Sequence, residues 1–193
     1  NKMDTLFNST ETNPRGIPSA PFVEDLTTLF NEGKNDFQLV FNKFQERLQK
    51  YKFMQESKQV TLKQLNTRIP EISQSLKVCQ LLESQNADDK DEDSEDLLFN
   101  YSLNDTLYTK ASVNPKEVKN VGLWLGADVM LEYPIPEAIT LLQAKLDDSQ
   151  SSLHNCQEDL EFLRENITTM EVMCARLYNW DVEQRRKDAD QAK

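Results

Sequence analysis

Apolar residues recur along two long stretches of the chain at alternating spacings of four and three. The first runs Phe37, Phe41, Phe44, Leu48, Tyr51, Leu62, Leu65, Ile69, Ile72, Leu76 and Cys79, with Gln55 and Lys58 as its polar members. The second runs Ile139, Leu142, Leu146, Ser149, Leu153, Cys156, Leu160, Leu163, Ile167, Met170, Cys174 and Leu177. A repeat averaging about 3.5 residues keeps one narrow seam facing a partner helix, so both stretches predict coiled coil. At about 1.5 Å per residue the first gives an arm of roughly 60 Å. Pro70 lies inside it, removes a backbone donor and predicts a kink or local break. In an antiparallel pair, facing positions have numbers of constant sum. Cys79 with Ile139, Ile72 with Leu146, Leu62 with Cys156, Leu48 with Met170, Phe44 with Cys174 and Phe41 with Leu177 all obey one such register. The two seams therefore predict an intramolecular antiparallel hairpin of helices.

Between the arms the pattern changes to short strand-like runs. Residues 97–103, with Leu98, Tyr101 and Leu103, and residues 106–113, with Leu107 and Tyr108, alternate apolar and polar positions around Asn104-Asp105, a pair suited to a tight turn. A second candidate pair, residues 121–125 with Val121, Leu123, Trp124 and Leu125, and residues 129–133 with Val129, Leu131 and Tyr133, turns at Gly126-Ala127-Asp128. Four short strands cannot bury both faces of a sheet, and open edges call for cover or pairing. This segment is expected to join a larger sheet or barrel with other subunits.

Residues 1–34 carry Asn13-Pro14-Arg15-Gly16-Ile17-Pro18 and then Pro21, helix breakers that predict an extended or disordered lead-in. Phe22, Val23, Leu26, Leu29 and Phe30 allow a short amphipathic helix before Gly33, either packed on an arm or reaching for a partner. Asn35 or Asp36 is placed to cap the first arm, residues 35–83. Residues 84–96 hold seven acidic groups and one Lys, the composition of a solvated loop. The β region spans 97–135, and Pro136 suits the first turn of the second arm, residues 136–190.

Only 38% of the 193 residues are apolar, 28% are charged and the formal net charge is −11, which fits a wet coiled coil better than a compact globule. The acidic balance argues against nucleic acid and anionic membranes as partners. Cys79, Cys156 and Cys174 form no metal-like spacing and no even disulfide framework, so the cytosol is the expected compartment. No apolar run is long enough to span a bilayer. The single histidine, His154, has Cys156 two residues away, but such neighbours face different directions on a helix and no second pair completes a metal site. No phosphate-cradling glycine loop and no catalytic constellation is legible, so neither enzyme activity nor a cofactor is expected.

What remains is the free end of the helical hairpin, where Phe37, Val40, Phe41 and Phe44 meet Leu177, Tyr178 and Trp180. Partly exposed aromatic groups there either wrap the coiled-coil edge or form an interaction site.

The segments FNKFQERLQKYKFMQESK at 41–58, LNDTLYTKA at 103–111, GLWLGADVMLEYP at 122–134 and EFLRENITTMEVMCARLYNWDV at 161–182 resemble α-class subunits of the prefoldin family. The resemblance covers residues 36–190. It implies a mainly α chain with a small β element, in which a long antiparallel coiled-coil hairpin is joined by two β-hairpins that assemble into a β-barrel with other subunits. It further implies a hetero-hexameric, ATP-independent co-chaperone that combines this chain with one further α-class and four β-class subunits. Its coiled-coil tips would capture non-native actin and tubulin for delivery to the cytosolic group II chaperonin. The rival expectation, a cytoskeletal or kinetochore coiled-coil linker, has no need of the two β-hairpins and would favour a parallel dimer over the intramolecular register.

Overall fold

The computed structural model of the chain describes residues 6–8, 11–30, 36–87, 107–108, 118–124 and 130–192. A four-residue helix, α1 (Thr27–Phe30), is followed by α2 (Phe37–Ala87), β1 (Leu107–Tyr108), β2 (Asn120–Trp124), β3 (Met130–Pro134) and α3 (Ile135–Gln191). The chain divides into two compact units, Asn1–Thr61 with Asn155–Lys193, and Leu62–His154.

Both long helices belong in part to each unit. Asp36 caps α2, its carboxylate accepting from the Gln38 amide and its carbonyl from Val40. At the start of α3, Ile135 donates its amide to the Lys119 carbonyl, and Glu137 in the first turn complements the helix dipole. Pro70 does not break α2, which continues through it. Its exposed ring leaves the unpaired carbonyl one turn earlier to water, while Ile72 on the inner face is fully buried and holds the turn in place.

In the first unit the helices run antiparallel. The Phe37 and Trp180 rings lie 6.3 Å apart at one end, and Lys58 meets Asp159 at 2.8 Å further along, each one residue from the expected register. The core of this unit includes Val40, Phe44, Tyr51, Leu163, Met170, Met173 and Leu177 from the helices, and also Ile17, Leu26 and Leu29 from the lead-in. Residues 11–30 thus form a strap packed on the arm, one of the two roles the sequence left open, and it is largely without helix or strand before α1. The short helix expected within it is present as α1, capped by Asp25, which accepts from the Thr27 amide at 2.9 Å.

In the second unit the strands form an antiparallel sheet in the order β1-β2-β3. β2 and β3 are the second predicted pair, with Val121 opposite Tyr133 and Leu123 opposite Leu131. β1 pairs with β2, Leu107 with Leu123 and Tyr108 with Gly122, while its predicted partner, residues 97–103, lies outside the described residues. Leu98, Tyr101, Leu103, Leu125 and Val129 lie outside the described residues, as do residues 88–96 of the acidic segment; residues 84–87 are the last turn of α2. Val121 and Leu123 point into a core with Ile72, Leu76, Cys79, Leu82, Ala138 and Leu142. This alternation puts one sheet face on the helices. Met130 and Leu131 remain 42% and 48% exposed on β3, at the end of the sheet order.

Candidate interaction surfaces

The strap begins with a turn dictated by its own sequence. Pro14 presets the second turn position, Gly16 adopts φ 83, in the left-handed region that glycine tolerates, and the Gly16 amide donates to the Asn13 carbonyl at 3.0 Å. The Asn13 side-chain oxygen accepts from the Arg15 and Ile17 amides, and Ser19 donates back to the Glu11 carbonyl. The breakers that read as disorder therefore close a compact loop and aim Arg15 at α3.

There a latch forms around Asp159, whose side chain has no solvent exposure. Asn13 donates to it at 2.7 Å, Arg15 at 2.5 Å, and Lys58 of α2 reaches its second oxygen at 2.8 Å. Arg15 also meets Glu158 at 2.5 Å and Asn155 at 3.3 Å. Burial pushes the Asp159 carboxyl up, but the hydrogen bonds from Lys58 and Arg15, with their charge, outweigh it and hold the group below its ordinary value. The latch is thus a charged cluster that a neutral carboxylic acid would not reproduce.

Beyond the latch the strap is gripped chiefly by its backbone. The Tyr51 hydroxyl donates to the Pro18 carbonyl at 2.7 Å, and the Ala20 amide donates to Asn166 at 2.5 Å. Arg176 donates to the Val23 carbonyl at 2.7 Å and to the Glu24 carbonyl, and lies over the Phe22 ring. Arg47 donates to the Phe7 carbonyl at 2.8 Å, and the Phe7 ring meets Phe44 edge-on at 4.9 Å. Phe30 stacks on Trp180 at 4.3 Å beside Phe37.

These contacts decide how the residues expected at the tip are placed. Val40, Phe44 and Leu177 are completely buried, Phe37, Phe41 and Trp180 are half-buried, and Tyr178 stands 60% exposed. All seven are brought to one end of the first unit, but only Tyr178 faces solvent freely. The other exposed large apolar groups described in this unit are Phe22 on the strap and, on the helices, Leu39, Phe53 and Val60, which share one heptad position, and Val172. Of the residues expected to assemble, Val121 and Leu123 are in the chain's own core, Trp124 and Tyr133 are half-buried and Leu131 is open. For Leu107 and Tyr108 the structure describes the backbone.

Sequence periodicity alone missed Asp159, Asn166 and Arg176. The available signal was a second heptad row on α3, Asp159, Asn166, Met173 and Trp180, beside the main seam. Two polar and two large apolar groups in one row are an odd composition for a solvated face. Among the described residues no cluster of His, Cys, Asp and Glu is arranged to hold a metal, and no helix is long and apolar enough to cross a membrane. His154 is exposed.

The sequence profile of the family described as Prefoldin subunit matches residues 51–180 of this chain. A protein named Prefoldin subunit 3 from Saccharomyces cerevisiae is 64% identical over 193 residues, covering 98% of this chain and 96% of the relative. Proteins of the same name from Homo sapiens and Drosophila melanogaster are 42% and 36% identical, covering 90% and 89% of this chain and 85% and 84% of their own lengths.

Proposed function

The chain belongs to the prefoldin family and is a subunit of its co-chaperone, and from that premise we propose that it works in a cytoplasmic hetero-hexamer with one further α-class and four β-class subunits. In this reading the complex captures non-native actin and tubulin without nucleotide and passes them to the group II chaperonin. The observation that carries the assembly half is the sheet of the second unit. One face is covered by the chain's own helices, while Met130 and Leu131 stand open on β3 with an outer edge that has no strand beside it among the described residues. Such an edge is what a strand of a neighbouring subunit pairs with. The client half is supported by the exposed apolar groups Leu39, Phe53, Val60, Val172 and Tyr178 on the helices of the first unit. Scattered apolar contacts suit a partner that must be released as well as held.

Native mass spectrometry on the complex recovered through a tag on this chain tests the assembly half. Six different subunits are expected, and Leu131→Glu, which alters an exposed strand residue and spares the chain's own core, is expected to remove the chain from the complex. A homodimer, or a complex with filament or chromosome proteins, would hand the reading to the coiled-coil linker. Normal incorporation of Leu131→Glu would sink the edge assignment.

A further inference from the structure

The strap shows what its own docking face can hold. Between Pro18 and Glu24 the chain has no helix or strand, and the groups that grip it there address main-chain atoms: Tyr51 the Pro18 carbonyl, Asn166 the Ala20 amide, Arg176 the carbonyls of Val23 and Glu24. Any polypeptide in an irregular, open conformation offers the same carbonyls and amides, whatever its sequence. The side chains that accompany them, Ile17, Leu26 and Leu29, are ordinary aliphatic groups entering an apolar core. The contacts particular to the strap are the latch, where Asn13 and Arg15 on buried Asp159 require those two residues at that spacing, and the rings of Phe22 under Arg176 and Phe30 on Trp180, which any aromatic side chain could supply.

We infer that the strap-bearing face of the first unit is a polypeptide-binding surface, and that its second occupant is an extended apolar segment of a non-native client. This rests on the co-chaperone reading and deepens it. The strap is a tethered competitor, present at an effective concentration in the millimolar range. A client gains the face only while the strap is off, so its apparent affinity falls by the fraction of time the face is open. The latch residues set that fraction, since they hold the strap without touching the groups that read backbone. Return of the strap then displaces the client, a route to release that needs no nucleotide.

The test uses the assembled complex carrying the full-length chain with Asn13→Ala and Arg15→Ala, which leaves Tyr51, Asn166 and Arg176 in place. The probe is reduced, carboxymethylated α-lactalbumin, a soluble chain that cannot fold. Binding tighter than wild type by roughly fivefold or more is expected for a strap that is closed most of the time. A photo-crosslinking residue at Phe162, which packs on this core, is expected to capture the strap in the wild-type complex and the probe in the variant. A complex whose chain lacks residues 1–30 is the second variant and is expected to bind at least as tightly. Equal or weaker binding by the variants, with Phe162 reaching only the strap, overturns the inference while the co-chaperone reading stands. Absence of probe binding by wild type and variants alike overturns both.

Discussion

Replacing Asp159 with Ala removes the acceptor on which the strap latch converges. The carboxylate has no solvent exposure, whereas the Arg15 and Lys58 side chains keep 27% and 37% of theirs. Arg15 is open enough to rehydrate, so the cost falls on the other two donors. Lys58 also regains water in part and loses about 1 kcal/mol, less than a fully buried charged hydrogen bond would. Asn13 is 8% exposed, and its amide group, left facing an apolar Ala, costs about 1–3 kcal/mol. The Lys58 contact joins the two helices whether the strap is on or off, so the strap itself is expected to lose roughly the 1–3 kcal/mol borne by Asn13. At 1.4 kcal/mol per tenfold, its open state becomes about five- to a hundredfold more populated. Amide hydrogen exchange reads this directly at Ile17, Ser19 and Ala20, whose amides are bonded to Asn13, Glu11 and Asn166. Leu142 and Leu146, in the core of the second unit, serve as the control. Acceleration of the strap amides by less than about threefold, or equal acceleration at Leu142 and Leu146, would refute the latch as the element that holds the strap.

Acid should open the same latch without mutation. The Asp159 carboxyl is held below its ordinary value of about 3.9, so its stabilisation is complete above that value and is lost as pH falls through the lowered one. Strap exchange is therefore expected to accelerate below about pH 4, and Asp159→Asn should flatten that step; an unchanged acid profile in Asp159→Asn would assign it to another group. Pro70→Ala should raise the thermal midpoint of the chain. An interior proline costs about 3 kcal/mol in a helix, and part of that is offset because proline also restricts the unfolded chain, leaving a gain of about 1–3 kcal/mol. A lower midpoint would mean that the proline ring makes packing contacts its exposure does not suggest.

The long helices were legible because a coiled-coil seam is a local code: each turn of sequence states which face is apolar, and the two seams fix their pairing by register. The second β pair was legible for a similar reason, since alternation and a turn specify a hairpin within a dozen residues. The pairing of β1 with β2 was not, because β2 follows it across a connection and no local pattern marks that partner. Whether the lead-in packs on an arm or reaches for a partner was left open by the sequence, and the cause is physical. Asn-Pro-Arg-Gly is the same turn signal whether the loop floats or docks, and the groups that dock it, Asp159, Asn166 and Arg176, lie more than a hundred residues away. Apolar groups near the end of a two-helix hairpin look exposed only when a third layer is left out of the count. Here the lead-in supplies that layer, which is why Phe44 and Leu177 are core while Tyr178, facing away from the strap's contacts, is open. The row Asp159, Asn166, Met173 and Trp180 carried the missing instruction. A coiled coil that pairs with one helix needs one apolar seam per helix, so a second row with buried polar members is the mark of a further segment of backbone waiting to be satisfied.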